Sequence, residues 1–288
     1  MAVSALGLAV ALGSSACWAG LDATRKALVR SVPPAAAAMW LSLAQVPGFA
    51  AWAAAGGELR FELAPYALPG FGALGLHVVA NVLLMKALSV SPLSATIPFL
   101  SFTPVFTSAL AFFVLGERPS LWQWGGVALV VLGALFVNAT PGEPPWRSLR
   151  RERGSLMMIG VAGCWSLTAN LDKMALDHAS LPVHATVQTA GVGLALLGYL
   201  LVRRAPLGMP RRAWPSFAGS VLFATGALAL QLWAIQLVLV GLVETLKRAV
   251  GMSSSVLVGR VAFGEAITGR RALAVAVMGA GTALALLG

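Results

Sequence analysis

Apolar residues run in blocks of membrane-spanning length along nearly the whole chain, broken by short clusters of proline, glycine and charge. About ten such blocks can be marked, at roughly 4–24, 34–55, 66–88, 92–114, 120–138, 154–174, 182–203, 214–236, 240–262 and 270–287. The blocks are long Ala/Leu/Val/Gly runs, not the ~10-residue alternating segments of a transmembrane barrel. Prolines punctuate them: Pro33-Pro34, Pro65, Pro92, Pro119, Pro182 and Pro215 stand at or near block starts, where a missing N–H costs the helix nothing. The pattern predicts an all-α integral membrane protein of about ten transmembrane helices.

The longest polar stretch, Thr140–Gly154, divides the chain into halves of nearly equal length. The halves are alike. Cys17-Trp18 followed by Lys26 matches Cys164-Trp165 followed by Lys173 at an offset of 147, and Leu115-Gly116-Glu117 matches Phe263-Gly264-Glu265 at 148. Gly133 and Gly281 each lie sixteen residues past the glutamate of that motif. Conserved order at one offset is an internal duplication. The expected units are a first five-helix repeat at 1–140, a connecting loop at 141–153 and a second five-helix repeat at 154–288. Five is odd, so the second repeat must enter the bilayer upside down. Inverted repeats mark secondary transporters, whose substrate site lies near the midplane between the halves.

Composition agrees. Only 10% of the 288 residues are charged and 58% are hydrophobic, with a mean hydropathy of +0.84, where a soluble domain carries about 25% charged residues. The net charge of +10 sits at block ends and in short loops, so it reads as a topology signal and not as a nucleic-acid surface. Arg60, Arg118 and Lys173 flank one set of loops. The other set holds Arg25, Lys26, Arg30, Arg147, Arg150, Arg151, Arg153, Arg203, Arg204, Arg211, Arg212, Arg270 and Arg271. The positive-inside rule therefore places both termini outside. Cys17 and Cys164 sit in apolar runs without metal-ligand spacing. Ser15-Ala16-Cys17 faintly resembles a lipoprotein cleavage site, but the preceding segment lacks a basic start, and it is read as the first membrane helix. No phosphate loop, metal motif or paired carboxylates in a soluble domain mark an enzyme or a cofactor.

The chemistry concentrates in Gly241–Glu265. Glu244, Lys247 and Arg248 lie well inside an apolar helix at i, i+3 and i+4, on one face, and Gly251, Ser254 and Ser255 continue that face. Each charge at bilayer depth costs at least ~2.5–3.5 kcal/mol on insertion scales, and such residues are functional by default. Neutralisation of Arg248 by Glu244 would leave one cation over. Arg offers a planar fork for carboxylate or phosphate and Lys a compact charge, so this pair is the expected anion site. Elsewhere, His77 and Asn81 are i, i+4 on the third span, with His77 a further contact or proton carrier. His184 and Gln188 repeat that spacing on the seventh span. Gln231 reads as interhelical glue. Trp18 and Trp165 line the cavity or pack. Pro98 and Pro104 flank Thr96, Ser101 and Thr103 in the fourth span, an interrupted helix of the kind that forms transporter sites. Asp22, Arg25, Lys26, Asp172 and Lys173 are expected to snorkel at span ends. Glu117 and Glu265, next to Arg118 and Arg260, are expected to be local electrostatic anchors.

Two five-helix repeats, each with an early Trp-bearing helix and a Leu/Phe-Gly-Glu after its fourth helix, resemble the EamA family of the drug/metabolite transporter superfamily over essentially the whole chain. The resemblance implies ten helices, a central cavity and export or exchange of small metabolites, with both termini inside, against the charge bias. One departure is that Met252 stands where a counterpart of Pro104 is often found. Lys247-Arg248 with its Ser-rich turn also resembles the sugar-phosphate translocators, whose matching pair binds phosphate; their fourth-helix Lys has no counterpart here. The expected function is a secondary transporter of a small anionic metabolite in a bacterial inner membrane, working by alternating access. The expected partners are that substrate, the bilayer and, through His77, protons. The substrate site is expected at Lys247, Arg248, Glu244, His77, Asn81, Trp18, Trp165, Ser254 and Gln188, with no catalytic or metal residues. The alternatives are export of amino acids or hydrophobic cations, or a non-transporting membrane scaffold.

Overall fold

A computed structural model describes residues 4–56, 59–90, 97–138, 153–263 and 269–287. Among them are ten helices: α1 (Ala5–Leu28), α2 (Pro34–Ala55), α3 (63–90), α4 (97–114), α5 (Leu121–Asn138), α6 (Arg153–Leu176), α7 (Leu181–Val202), α8 (Trp214–Leu237), α9 (Val240–Phe263) and α10 (Gly269–Leu287). Pro34, Pro104, Pro182 and Pro215 each occupy a first-turn position, where their fixed φ fits and no hydrogen bond is lost. All of the predicted connecting loop but residue 153, together with Thr96, Gly264 and Glu265, lies outside the described residues.

Two helices are irregular where proline makes them so. In α3 the backbone widens to a π turn over Ala67–Phe71, around Pro69. In α4 a 3-10 stretch, Ile97–Phe102, precedes the α-helical Thr103–Val114. Pro104 has no N–H to give the Leu100 carbonyl, and the Thr103 hydroxyl donates to it instead, at 2.6 Å.

The helices pair by a pseudo-twofold rule that exchanges the halves. α1 packs on α8 as α6 packs on α3; α1 packs on α9 as α6 packs on α4; α2–α7, α4–α9 and α5–α10 are the self-related pairs. The match reaches single residues. Gly281 lies against Gly126, and Gly133 against Ala274, which is the same contact under the 148-residue offset. A Cβ on Gly126 or Gly281 would strike the backbone of the opposite helix, so α5 and α10 can approach only because these positions are bare. Contacts between α3 and α6 run antiparallel, Gly72 meeting Leu171 and Gly160 meeting Leu83. The α4–α6 contacts run parallel, Ser166 to Thr103 and Asn170 to Thr107. The repeats are therefore inverted.

Large apolar side chains cover the outside: Leu68, Phe113, Leu121 and Val202 are each at least 80% exposed. The interior combines Ala with larger apolar side chains such as Phe49, Leu196, Leu232 and Met278, and it also takes in polar groups, Asn170, Asp172, His184 and Glu244 among them. Large apolar side chains outside, with the buried charges kept within the bundle, is the arrangement of a bundle solvated by lipid. Ala5–Arg25, Leu63–Leu84, Leu181–Val202 and Arg211–Leu237 are each long and apolar enough to cross a bilayer.

Candidate functional site

The charged face of α9 turns inward against α1 and α8. Glu244 is 3% exposed. Its carboxylate Oε1 accepts from Lys247 Nζ at 2.5 Å. Lys247 Nζ also donates to Gln231 Oε1 on α8 at 3.3 Å and stands 5.3 Å from the centroid of the Trp18 ring on α1. Lys247 is thus held by a carboxylate, an amide and an aromatic face. Lys247 at i+3 and Arg248 at i+4 are both within helical reach of the carboxylate, and Gln231 and Trp18, from the neighbouring helices, hold Lys247 on it. Arg248 is the cation left over. Its Nε is buried and has no hydrogen-bond partner, and the acidic groups whose fields reach it are Glu244, already paired, and Asp22, which Arg25 holds at 2.8 Å. Gln231 joins two helices, as expected of an intramembrane amide, and its partner is Lys247, which the sequence did not name. Ser254 is half-buried on the same helix, with no hydrogen bond to this group among the described residues.

A second polar group lies between α3, α6 and α7. Asp172 is buried, not snorkelling at a span end as expected: it lies one turn before the end of α6, where His77 of α3 and His184 of α7 close over it. Its Oδ1 accepts from His184 Nε2 at 3.2 Å, and its Oδ2 stands 3.7 Å from His77 Nε2. The Tyr66 hydroxyl meets His184 Nδ1 at 2.9 Å. Gln188 donates to the Gly70 carbonyl in the π turn at 2.7 Å. Asn81 bonds back to the His77 carbonyl at 2.8 Å. Trp165 packs into an apolar cluster with Phe99, Met158 and Val161. The nine expected site residues thus divide between two groups, with Ser254 and Trp165 in neither. Asp172 and Tyr66 were missed. The available signal was that Asp172, one turn before a helix end, had two histidines on other spans to neutralise it.

Glu117 links the halves. Its carboxylate accepts from Lys173 Nζ at 2.7 Å and from the Val240 N–H at 3.1 Å, capping the helix that carries Lys247 and Arg248. The partner is Lys173 of the other repeat and not the neighbouring Arg118, which points to the exposed side. A carboxylate at a helix N-terminus also meets the favourable end of the macrodipole.

An inverted pair of five-helix repeats with charge buried between them defines an integral membrane protein of the two-repeat transporter architecture. The chain belongs to the EamA-like transporter family, whose model matches it twice, over residues 5–139 and 152–287. It is 30% identical over 143 residues to the "Uncharacterized transporter YwfM" of Bacillus subtilis (strain 168), a match that spans 48% of this chain and about half, 47%, of that protein. A solved crystal structure superposes with a TM-score of 0.76 at 20% identity, over 98% of this chain and 97% of the other; that likeness concerns the fold.

Proposed function

We propose that this chain is a secondary transporter that moves a small anionic metabolite across a bacterial inner membrane by alternating access, with Arg248 as the principal substrate ligand and Lys247 beside it. The observation that carries this reading is the uneven partnering of the two cations. Lys247 is matched by Glu244, whereas Arg248 keeps a buried nitrogen without a protein partner. A guanidinium at bilayer depth is stabilised by an anion that its fork can hold. Pairing of Glu244 with Lys247 also weakens the cation-export reading, which needs a free carboxylate. Burial of these charges inside the chain, and not on its lipid-facing surface, speaks against a scaffold that binds partners in the bilayer.

The two repeats would rock about the pseudo-twofold axis, with Glu117–Lys173 tying α4, α6 and α9 together on one face. Uptake into proteoliposomes, screened with carboxylate, phosphate, zwitterion and cation panels, tests the assignment. Anions should compete for uptake, Arg248→Ala should abolish it, and Arg248→Lys should impair it although the charge is kept. Near-normal uptake by Arg248→Ala, indifferent to competing anions, would overturn it.

A further inference from the structure

The Asp172 group is built with one end closed and the other open. His184 is fully buried, and both its ring nitrogens are used. A carboxylate can only accept, so the nitrogen facing Asp172 Oδ1 carries the proton; Nδ1 then accepts from the Tyr66 hydroxyl, which has a proton to give. This chain of bonds is complete with His184 neutral. It leaves the negative charge of Asp172 in place, with Oδ2 turned towards His77.

His77 is different. Its side chain is 29% exposed where that of Asp172 is 5% exposed, and its Nε2 lies 3.7 Å from Oδ2, within ion-pair range but beyond a hydrogen bond. On α3 the groups facing the carboxylate are His77 and, behind His184, Tyr66; on α7 they are His184 and the Gln188 amide. On α6 itself Lys173 is turned away to Glu117. Among the described residues, no charged group of α4, α8 or α9 faces it. Two neighbours of Asp172 can supply a neutralising charge; His184 is closed off behind the Tyr66 hydroxyl, and His77 is the one open to the outside of the cluster.

We propose that His77 and Asp172 form a site for one proton, the coupling ion of the transporter. In the empty state a neutral His77 stands beside the Asp172 carboxylate. A proton arriving on the unprotonated ring nitrogen of neutral His77 gives an imidazolium paired to Oδ2, and leaves by the same nitrogen. Charge changes by +1 on loading, which offsets a bound monoanion. The buried Tyr66–His184 arm does not titrate in this scheme; it holds Oδ1 so that Oδ2 keeps its aim. Asp172 and Lys173 are adjacent, and Lys173 holds the carboxylate that caps α9, so loading bears on the helix that carries Arg248. The inference rests on the reading of the chain as a transporter, but not on the anion.

The test uses the full chain in proteoliposomes adsorbed on a solid-supported electrode, in a bulky sulfonate buffer without small metabolites. A rapid step from about pH 8 to about pH 6, spanning the range where imidazoles change charge, should give a transient charge displacement in the wild type. His77→Gln and Asp172→Asn should each lose it, and His178→Gln should retain it. Because the chain has three histidines, 15N-histidine spectra in lipid nanodiscs provide a second readout. Over the same range His77 should pass from neutral to doubly protonated, while His184 keeps its proton on Nε2. His77→Gln, at a partly exposed position, remains informative even where Asp172→Asn does not elute as a monodisperse species. No transient in the wild type, or an undiminished transient in His77→Gln, would overturn the proposal. An intact transient with no anion uptake would instead overturn the anion assignment alone.

Discussion

At the residue scale, α9 sets two cations side by side and gives them unlike environments. Lys247 neutralises a carboxylate that is 3% exposed. Removing one partner of such a pair leaves an uncompensated buried charge and costs about 3–5 kcal/mol. Lys247→Ala should therefore lower the thermal melting temperature in detergent as well as activity, and adding Glu244→Gln should recover much of the stability. Arg248→Ala, which strands no acid, should lose uptake with little change in melting. Equal melting of Lys247→Ala and the wild type would show that the pair contributes nothing to stability. The face shared by Glu244, Lys247 and Arg248 was legible from their spacing. Which cation the carboxylate takes was not, because i+3 and i+4 partners are equally near on a helix surface and only Gln231 and Trp18, from other helices, decide between them.

At the element scale, the α5–α10 contact is the clearest product of the duplication. The glycines that sit sixteen residues past each motif glutamate, Gly133 and Gly281, are related positions in one interface. Without a hydrophobic driving force in lipid, such an interface depends on close packing. Gly126→Leu would drive a side chain into the Gly281 backbone. It should cost about 1–3 kcal/mol, read as a lower melting temperature, whereas Gly48→Leu, which has open space, should melt as the wild type. The breaks in α3 and α4 were only half legible. Pro104 announced the second. The π turn at Pro69 was hidden in an apolar run, where composition does not report which backbone bonds are rearranged.

At the scale of the whole molecule, Glu117 and Lys173 join the repeats across the pseudo-twofold. With Cys17 and Cys164 replaced by serine, the pair Glu117→Cys/Lys173→Cys, bridged by a short bis-methanethiosulfonate reagent that spans the reach of the ion pair, should stop uptake, and reductant should restore it. Uptake undiminished in the cross-linked protein would mean that this face does not open during transport. Orientation is a separate question. Arg60, Arg118 and Lys173 stand against the many basic residues of the opposite loops, and on that ground both termini are expected to face outwards. A reporter fused after Gly288 should be active only on the outer side; a fluorescent cytoplasmic fusion there would reverse the assignment.

The sequence by itself determined the helices, their number, their inverted duplication and the face of α9 that carries charge. Those follow from local rules: apolar length, proline and glycine at ends, and order repeated at a fixed offset. Only the tertiary structure decided the partners. Asp172 reads as a span-end residue until α3 and α7 bring His77 and His184 to it, and Glu117 reads as a neighbour of Arg118 until α6 brings Lys173. Both are contacts between residues more than fifty positions apart or on separate helices. Their cause is the desolvation of a buried carboxylate, which is tolerated only where the packing brings a cation or donor to it.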